Sequence, residues 1–428
     1  MLLNFSVKNF LSIREEINLS MLTSSMKESF KIPKAAFTPL SKVIDILPVA
    51  AIFGANASGK SNLLNAMGVL KEFVLTSLAR ENVQDKIPVE PFAFSLKTEK
   101  EPTEFEITFS IGGKVYRYGF EATKEVILEE WLFEKDLKPK SKEKELFFRD
   151  SEGISYHNTL FKVGKVIKEQ NLAKENVLIL TLAYQLNDET AKSIILWFVN
   201  FNVLKGLRDE HYQDFSTTQI KDQTDIASDM ESLIFFADTN IRKLSTKTID
   251  GISEVTTTHT LFDEKDNPCG IKDFLMNVHE SEGTKKLFNL SGPILNSLKF
   301  RKVLVIDEMD SKLHPNLMEK LVLMFQDKSI NTKGAQLIFS THNTNLLNSN
   351  LLNSKLLRRD QVWITEKNQF GATQLYSIAD YKTDKGKARN TEALEQNYIE
   401  GKYGGVPFLG EFENFLEQHK YEQATTEK

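Results

Sequence analysis

The sequence predicts an α/β protein: a parallel core sheet built around a phosphate loop, an antiparallel β subdomain and a helical lobe. Three observations carry that prediction. The apolar run Val49 to Phe53 leads into Gly54-Ala55-Asn56-Ala57-Ser58-Gly59-Lys60-Ser61, and helical spacing follows at once. A second apolar run, Val303 to Ile306, ends in the acid pair Asp307-Glu308. Between them, Glu104 to Phe133 alternates polar and apolar residues about a Gly112-Gly113 turn, the period of half-buried antiparallel strands.

Taken in order, Leu3, Phe5 and Val7 alternate with Asn4, Ser6 and Lys8 as a half-buried first strand. A turn at Asn9-Phe10-Leu11-Ser12 leads to a short strand near Ile17 to Leu22. Val49 to Phe53 is continuously apolar, as a central parallel strand requires. Leu63, Leu64, Met67 and Leu70 then mark one face of a helix. Leu146 to Tyr156 reads as a hairpin turned at Asp150-Ser151-Glu152-Gly153, and Lys135 to Lys144 as its solvated, lysine-rich neighbour. Residues 162 to 245 read mostly as helix, without a sustained heptad, hence as a compact lobe. From Lys302 the parallel pattern returns: strand Val303 to Ile306, helix Asn316 to Phe325 with Pro315 at its start, strands Gln336 to Ser340 and Gln361 to Glu366. The residues from Lys420 onward are polar and read as a frayed end.

Composition narrows the function classes. With 428 residues, 41% hydrophobic and 26% charged, the chain is long enough for one large or two medium domains. A net charge of -5 offers no global attraction to nucleic acid, so such contact needs a local patch. The best candidate is Lys382, Lys385, Lys387 and Arg389, although Asp384 among them suits an ordinary solvated loop. One cysteine, Cys269, excludes an intrachain disulfide and favours a reducing compartment. No basic-then-apolar signal peptide is read at the start. The apolar stretches Asn176 to Ala183 and Ser193 to Val199 fall far short of the ~20 residues a span needs. A cytoplasmic protein without membrane contact is expected.

The pattern G-x-x-x-x-G-K-S places chemistry at the first parallel strand. Gly54 and Gly59 let the amides of Ala55, Asn56, Ala57 and Ser58 turn inward around phosphate oxygens, and the helix start at Lys60 adds positive potential. Lys60 would reach the terminal phosphates of ATP and Ser61 would ligate Mg2+. With that loop present, Asp307 is expected to hold Mg2+ through water and Glu308 to deprotonate the attacking water. His342, after the strand ending at Ser340, would sit above the terminal phosphate. Ser281-Glu282-Gly283-Thr284 reads as a helix N-terminus with Ser281 or Thr284 as cap.

Together these segments resemble ABC-class ATPases of the SMC and RecF type, and most closely single-head ATPases of phage-defence operons, RloA-like and AriA-like. The likeness also takes in Tyr116 to Phe120, Asp307 to Pro315, Ser340 to Thr344, Arg359 to Val362 and the tail Tyr398 to Pro407. It implies a head divided into a first ATPase lobe at 1-135, a helical lobe at 136-297 and a returning ATPase lobe at 298-428. It implies that Ser281 and Gly283 act as signature residues on a partner's ATP, that Asp310 to His314 contacts that partner, and that His342 is a switch histidine. The chain departs from the pattern in three places. Glu282 occupies a position often held by glycine. Leu11 replaces an arginine, so that Arg14 becomes the candidate nucleotide contact. Gln84 is the only candidate for the Q-loop glutamine.

Several relatives of this kind carry a Toprim nuclease after the ATPase. Val362 to Glu366 superficially matches that domain's first strand and glutamate, but too little chain follows and no Asp-x-Asp ends a second apolar strand. A nuclease or toxin effector is therefore expected as a separate chain. The expected function is an ATPase that forms a homodimer, or an assembly of dimers, on ATP and serves as sensor or scaffold for that effector in an anti-phage system. The tail Tyr398 to Pro407 is one candidate docking element. A RecF-like DNA-repair ATPase and a nucleotide-gated assembly protein with little hydrolysis are the alternatives.

Overall fold

The computed structural model describes residues 1–24, 38–39, 45–79, 85–138, 140–205, 210–237, 240–348, 350–351, 354–383, 386–387, 393–407 and 415. Gln84, Asp384, Lys385, Arg389 and the residues from Lys420 lie outside them.

The site rests on a six-stranded sheet. Its order is Phe201–Lys205, Val303–Asp307, Gln336–Ser340, Val49–Gly54, Val362–Lys367, Thr373–Ser377. The first five strands are parallel and the last is antiparallel. The P-loop strand is central and buried throughout, which explains its continuous apolar run. One strand, Gln336–Ser340, separates it from the acidic strand. Parallel strands end on the same edge, so Gly54, Asp307, Ser340 and Thr365 arrive at one rim.

A seven-stranded antiparallel sheet lies on the other side of the first core. It runs Gly153–Tyr156, Lys144–Asp150, Ile127–Asp136, Lys114–Ala122, Thr103–Ile111, Leu2–Lys8, Ile17–Ser20. The Gly112-Gly113 turn forms as expected, with both glycines at positive φ. Phe105, Ile107 and Phe109 of this sheet share a buried cluster with Leu63, Met67 and Phe73 of the helix Lys60–Thr76. The helices Val163–Glu169, Ile179–Gln185 and Glu189–Val199 join the same cluster through Ile167, Ile179 and Phe198. The opposite face of the parallel sheet packs on the helices Ala227–Phe236, Glu282–Phe300 and Pro315–Gln326. The expected division at 135/136 therefore falls inside a continuous ladder, where Glu134 pairs with Lys144.

Two elements differ from the sequence reading. The helical stretch of 162 to 245 is broken by Phe201–Lys205, an edge strand paired with Val303–Asp307. Five residues are too few for periodicity to separate strand from helix. A three-stranded antiparallel sheet, Lys243–Ile249, Ile252–Phe262 and Pro268–Leu275, then stands within the stretch expected as a helical lobe. Its first turn is Asp250-Gly251, both left-handed, a hairpin signal that helix-period reading passes over.

One buried group ties the antiparallel sheet to the helices behind it. Glu130 is fully buried, and its carboxylate accepts from Ile179 N at 2.7 Å, Leu180 N at 3.1 Å and the Tyr118 hydroxyl at 3.0 Å. Burial pushes its carboxyl pKa up; Arg149 nearby and these hydrogen bonds oppose the shift. Glu130→Ala leaves three buried donors unmatched and should cost about 3–5 kcal/mol in urea unfolding. Glu130→Gln keeps one oxygen acceptor and should cost less. Equal stability of wild type and the alanine variant would refute this role.

Candidate nucleotide site

The loop between Gly54 and Lys60 owes its shape to small residues. Ala57 and Gly59 are left-handed, with φ of 62° and 109°. A Cβ on Gly59 would collide with the Thr373 side chain. The helix Lys60–Thr76 has no side-chain cap, so its first-turn N–H groups are left for an acceptor in front of the loop. Ser58 is fastened from behind: its hydroxyl meets Thr365 Oγ1 at 2.6 Å and its carbonyl accepts from Thr373 Oγ1 at 3.0 Å. Lys60 is buried, and its Nζ donates to Gly54 O at 2.8 Å and Ala55 O at 3.0 Å. Burial pushes its ammonium below the ordinary lysine pKa, while Asp307, Glu308 and Asp310 pull the other way.

The acid pair reaches the same place. A cavity of about 570 Å³ is lined by the loop residues Asn56 to Asn62 and, across from them, by Glu308 and His342. Ser61, Asp307 and Glu308 also line an adjoining space beside the P-loop helix. Ser340 holds the acids: its hydroxyl donates to Asp307 Oδ1 at 2.5 Å and accepts from Glu308 N at 2.7 Å. Glu308 is left-handed, φ 48°, which turns its side chain out of the strand line at a backbone cost that L-residues rarely carry. Asp310 accepts from His342 N at 3.2 Å and so ties the histidine loop to the segment after the acids.

The residues present fit a nucleotide with Mg2+. The amide-lined turn and Lys60 suit a triphosphate, and the Ser61 hydroxyl with the Asp307 carboxylate is a hard oxygen pair. Among the described residues no group of three or more His, Cys, Asp or Glu side chains could hold a metal. A magnesium ion here would therefore share its shell with phosphate oxygens and water.

Ser281 and Gly283 do not line this cavity. Ser281 is exposed and caps the helix Glu282–Phe300, its Oγ accepting from Thr284 N at 3.1 Å. Glu282, the departure from glycine, pairs with Lys312 at 2.8 Å and Lys285 at 3.0 Å. Those two lysines, Lys312 foremost, bring its carboxyl pKa down to about 2. Lys312 belongs to the Asp310 to His314 segment, and Gly283 packs against its carbonyl, so both expected partner-facing segments form one surface.

Arg14 lines a different pocket, with Lys8, Glu15, Lys97 and Glu104, and its guanidinium lies 5.8 Å from the Phe370 ring. The neighbouring Ser12 comes closer to the loop: its hydroxyl accepts from Asn62 Nδ2 at 2.6 Å and meets Thr373 Oγ1 at 2.8 Å. Sequence reasoning missed Ser12, Asn62, Ser340, Thr365 and Thr373, short polar residues with no spacing signal of their own. Glu366 belongs to the core strand Val362–Lys367 beside the P-loop strand.

The tail is not free to dock. Tyr398 and Tyr403, expected as anchors for another protein, are 7% and 1% exposed within this chain's own second core. Phenolic rings beside an apolar strand end gain more from burial there than from exposure.

The family model described as "AAA domain, putative AbiEii toxin, Type IV TA system" matches residues 49–348, well over half of the chain. No curated protein matches it. Among solved structures, the SMC head domain from Thermotoga maritima is similar at 15% identity and a TM-score of 0.41, covering 88% of this chain and 98% of that one. An SMC head bound to the C-terminal domain of ScpA, from Pyrococcus furiosus, aligns at 12% identity and 0.37, over 88% and 96%. RecF with ATP aligns at 14% and 0.28, over 88% and 97%. Among the described residues no helix is long and apolar enough to cross a membrane. By the match over residues 49–348, the chain belongs to this AAA-domain family of P-loop proteins.

Proposed function

We propose that this chain is an ATPase that pairs with a second copy of itself across ATP. The observation that carries the reading is the convergence of the P-loop, Glu308 and His342 on one cavity that Ser281 and Gly283 do not line. In this reading the loop amides and Lys60 hold the β- and γ-phosphates, and Ser61 and Asp307 place Mg2+, which offsets phosphate charge when bound. Glu308 takes a proton from water as its oxygen bonds the γ-phosphorus; the bond to the β–γ bridging oxygen breaks, giving ADP and phosphate. His342 donates to the γ-phosphate, and Ser281 with the helix start behind it completes the partner's site.

The output is read as control of a separate effector, such as a Toprim-type nuclease or a toxin, in an anti-phage system in the cytoplasm. The family description, which names a putative AbiEii toxin and a Type IV TA system, is what supports a role beside a toxin. Sedimentation of the purified chain tests the core of the reading: MgATP should convert monomer to dimer, and ATP should be hydrolysed. Lys60→Ala should weaken ATP binding about 10- to 100-fold, the worth of a charge-assisted contact, and abolish the shift. A chain that neither binds nor hydrolyses ATP would end the proposal.

A further inference from the structure

We infer that the C-terminal segment Tyr398 to Pro407 is a strut that fixes the phosphate loop from behind, with Tyr398 as a positioning residue for nucleotide binding. The inference rests on the nucleotide reading above. Its starting point is Gly54, where the central strand becomes the loop. The Tyr398 hydroxyl donates to Gly405 O at 3.1 Å, and Gly405 lies against Gly54, where a Cβ on Gly405 would stand 3.7 Å from the Gly54 Cα. The Gly54 carbonyl accepts from Lys60 Nζ at 2.8 Å. The hinge is thus backed by the tail and bonded to the lysine that is to bind phosphate.

The tail is held there by backbone that only glycine allows. Gly404 and Gly405 are consecutive left-handed residues, with φ of 66° and 69°. A Cβ on Gly405 would press into Ile364 and Thr365 and lie 3.7 Å from the Gly54 Cα; one on Gly404 would meet Glu366 and the Tyr376 hydroxyl. Gly405 N donates to Glu366 Oε2 at 3.3 Å, and the Tyr376 hydroxyl donates to Tyr403 O at 2.6 Å. The Tyr398 ring packs edge-on against Phe53, centroids 5.9 Å apart. Phe53 lies on the P-loop strand, Ile364, Thr365 and Glu366 on the strand beside it, and Tyr376 on the next one out, Thr373–Ser377. Packing alone would be met by a phenylalanine at 398. The hydroxyl adds a fixed tether to Gly405, the residue that backs Gly54 at the start of the loop. Lys60 cannot give its full strength to Gly54 O and to a phosphate together, so during binding the tail is the tether that stays. Loop amides displaced by a fraction of an ångström lose phosphate contacts, which makes that tether a matter of affinity.

Full-length Tyr398→Phe keeps the ring and removes the tether. Titrated with a fluorescent ATP analogue and Mg2+, it should bind about three- to tenfold more weakly than wild type, the worth of one hydrogen bond, with its melting temperature little changed. Gly405→Ala should lose more, because the whole segment must shift. Glu366→Gln retains an acceptor for Gly405 N and should bind as wild type. Wild-type affinity in both Tyr398→Phe and Gly405→Ala would overturn the strut. So would a loss in Tyr398→Phe that vanishes when the titration is run well below its melting temperature, since that marks a stabiliser only. Wild type and Lys60→Ala serve as the outer controls: if neither binds, the nucleotide reading itself has failed, a result distinct from failure of the strut.

Discussion

Glu308→Gln should retain ATP binding while turnover falls by about two orders of magnitude or more. Among the described residues Glu308 is the only acid that lines both the loop cavity and the adjoining space beside Ser61. Asp307 is already engaged by the Ser340 hydroxyl at 2.5 Å, which orients it for metal and makes it a poor base. Glu308 is free of such a bond at its side chain among the described contacts and is turned outward by its left-handed backbone. Glutamine is nearly isosteric and keeps the backbone bond to Ser340, so binding should survive; it cannot take a proton, so the attacking water stays unactivated. Product formation under single-turnover conditions separates the two effects. Because the unhydrolysed nucleotide stays in place, this variant should also accumulate the ATP-dependent dimer in sedimentation. Unchanged turnover would remove Glu308 from the role of base.

The same substitution indicates where the sequence was legible. The P-loop, the acid pair and the strand before His342 announce themselves because each is an apolar run ending in residues of fixed chemistry, and parallel strands end on one rim. Their meeting at one cavity follows from sheet order, which no local spacing encodes. The intervening strand Gln336–Ser340 brings Ser340 between the acids and the loop, yet in sequence Ser340 is only a serine after three apolar residues. Thr365, Thr373 and Ser12 are hidden for the same reason: they act through contacts to residues more than three hundred positions away. The tail misled differently. Its glycines were read correctly as places of close approach, but the backbone they approach is Gly54 and the strand beside it, not another protein. Glu282 departed from a glycine pattern; beside its helix neighbour Lys285 it pairs with Lys312, thirty positions on, which local sequence does not announce.

Mixing Lys60→Ala protein with Ser281→Arg protein should restore ATPase activity that neither preparation has alone. The argument is geometric. Lys60 lines the cavity of its own chain, whereas Ser281 caps an exposed helix start that the same cavity does not include. If the two act on one ATP, they must come from different copies. A dimer of the two variants then holds one site with both defects and one site with neither. In a random mixture half the molecules should be such heterodimers, each with one intact site of two. Recovered activity should therefore approach about a quarter of wild type, provided that the sites fire independently. Arginine at 281 suits this design, because it removes the small hydroxyl and blocks the partner's phosphate with bulk, while the exposed position spares the fold. Activity should rise with the square of total concentration at low protein and in proportion to it once dimers predominate. Heterodimers demonstrated by affinity tagging but lacking any activity would show that the two residues do not share a site across the interface, and would leave Ser281 as the helix cap that its hydrogen bond to Thr284 already makes it.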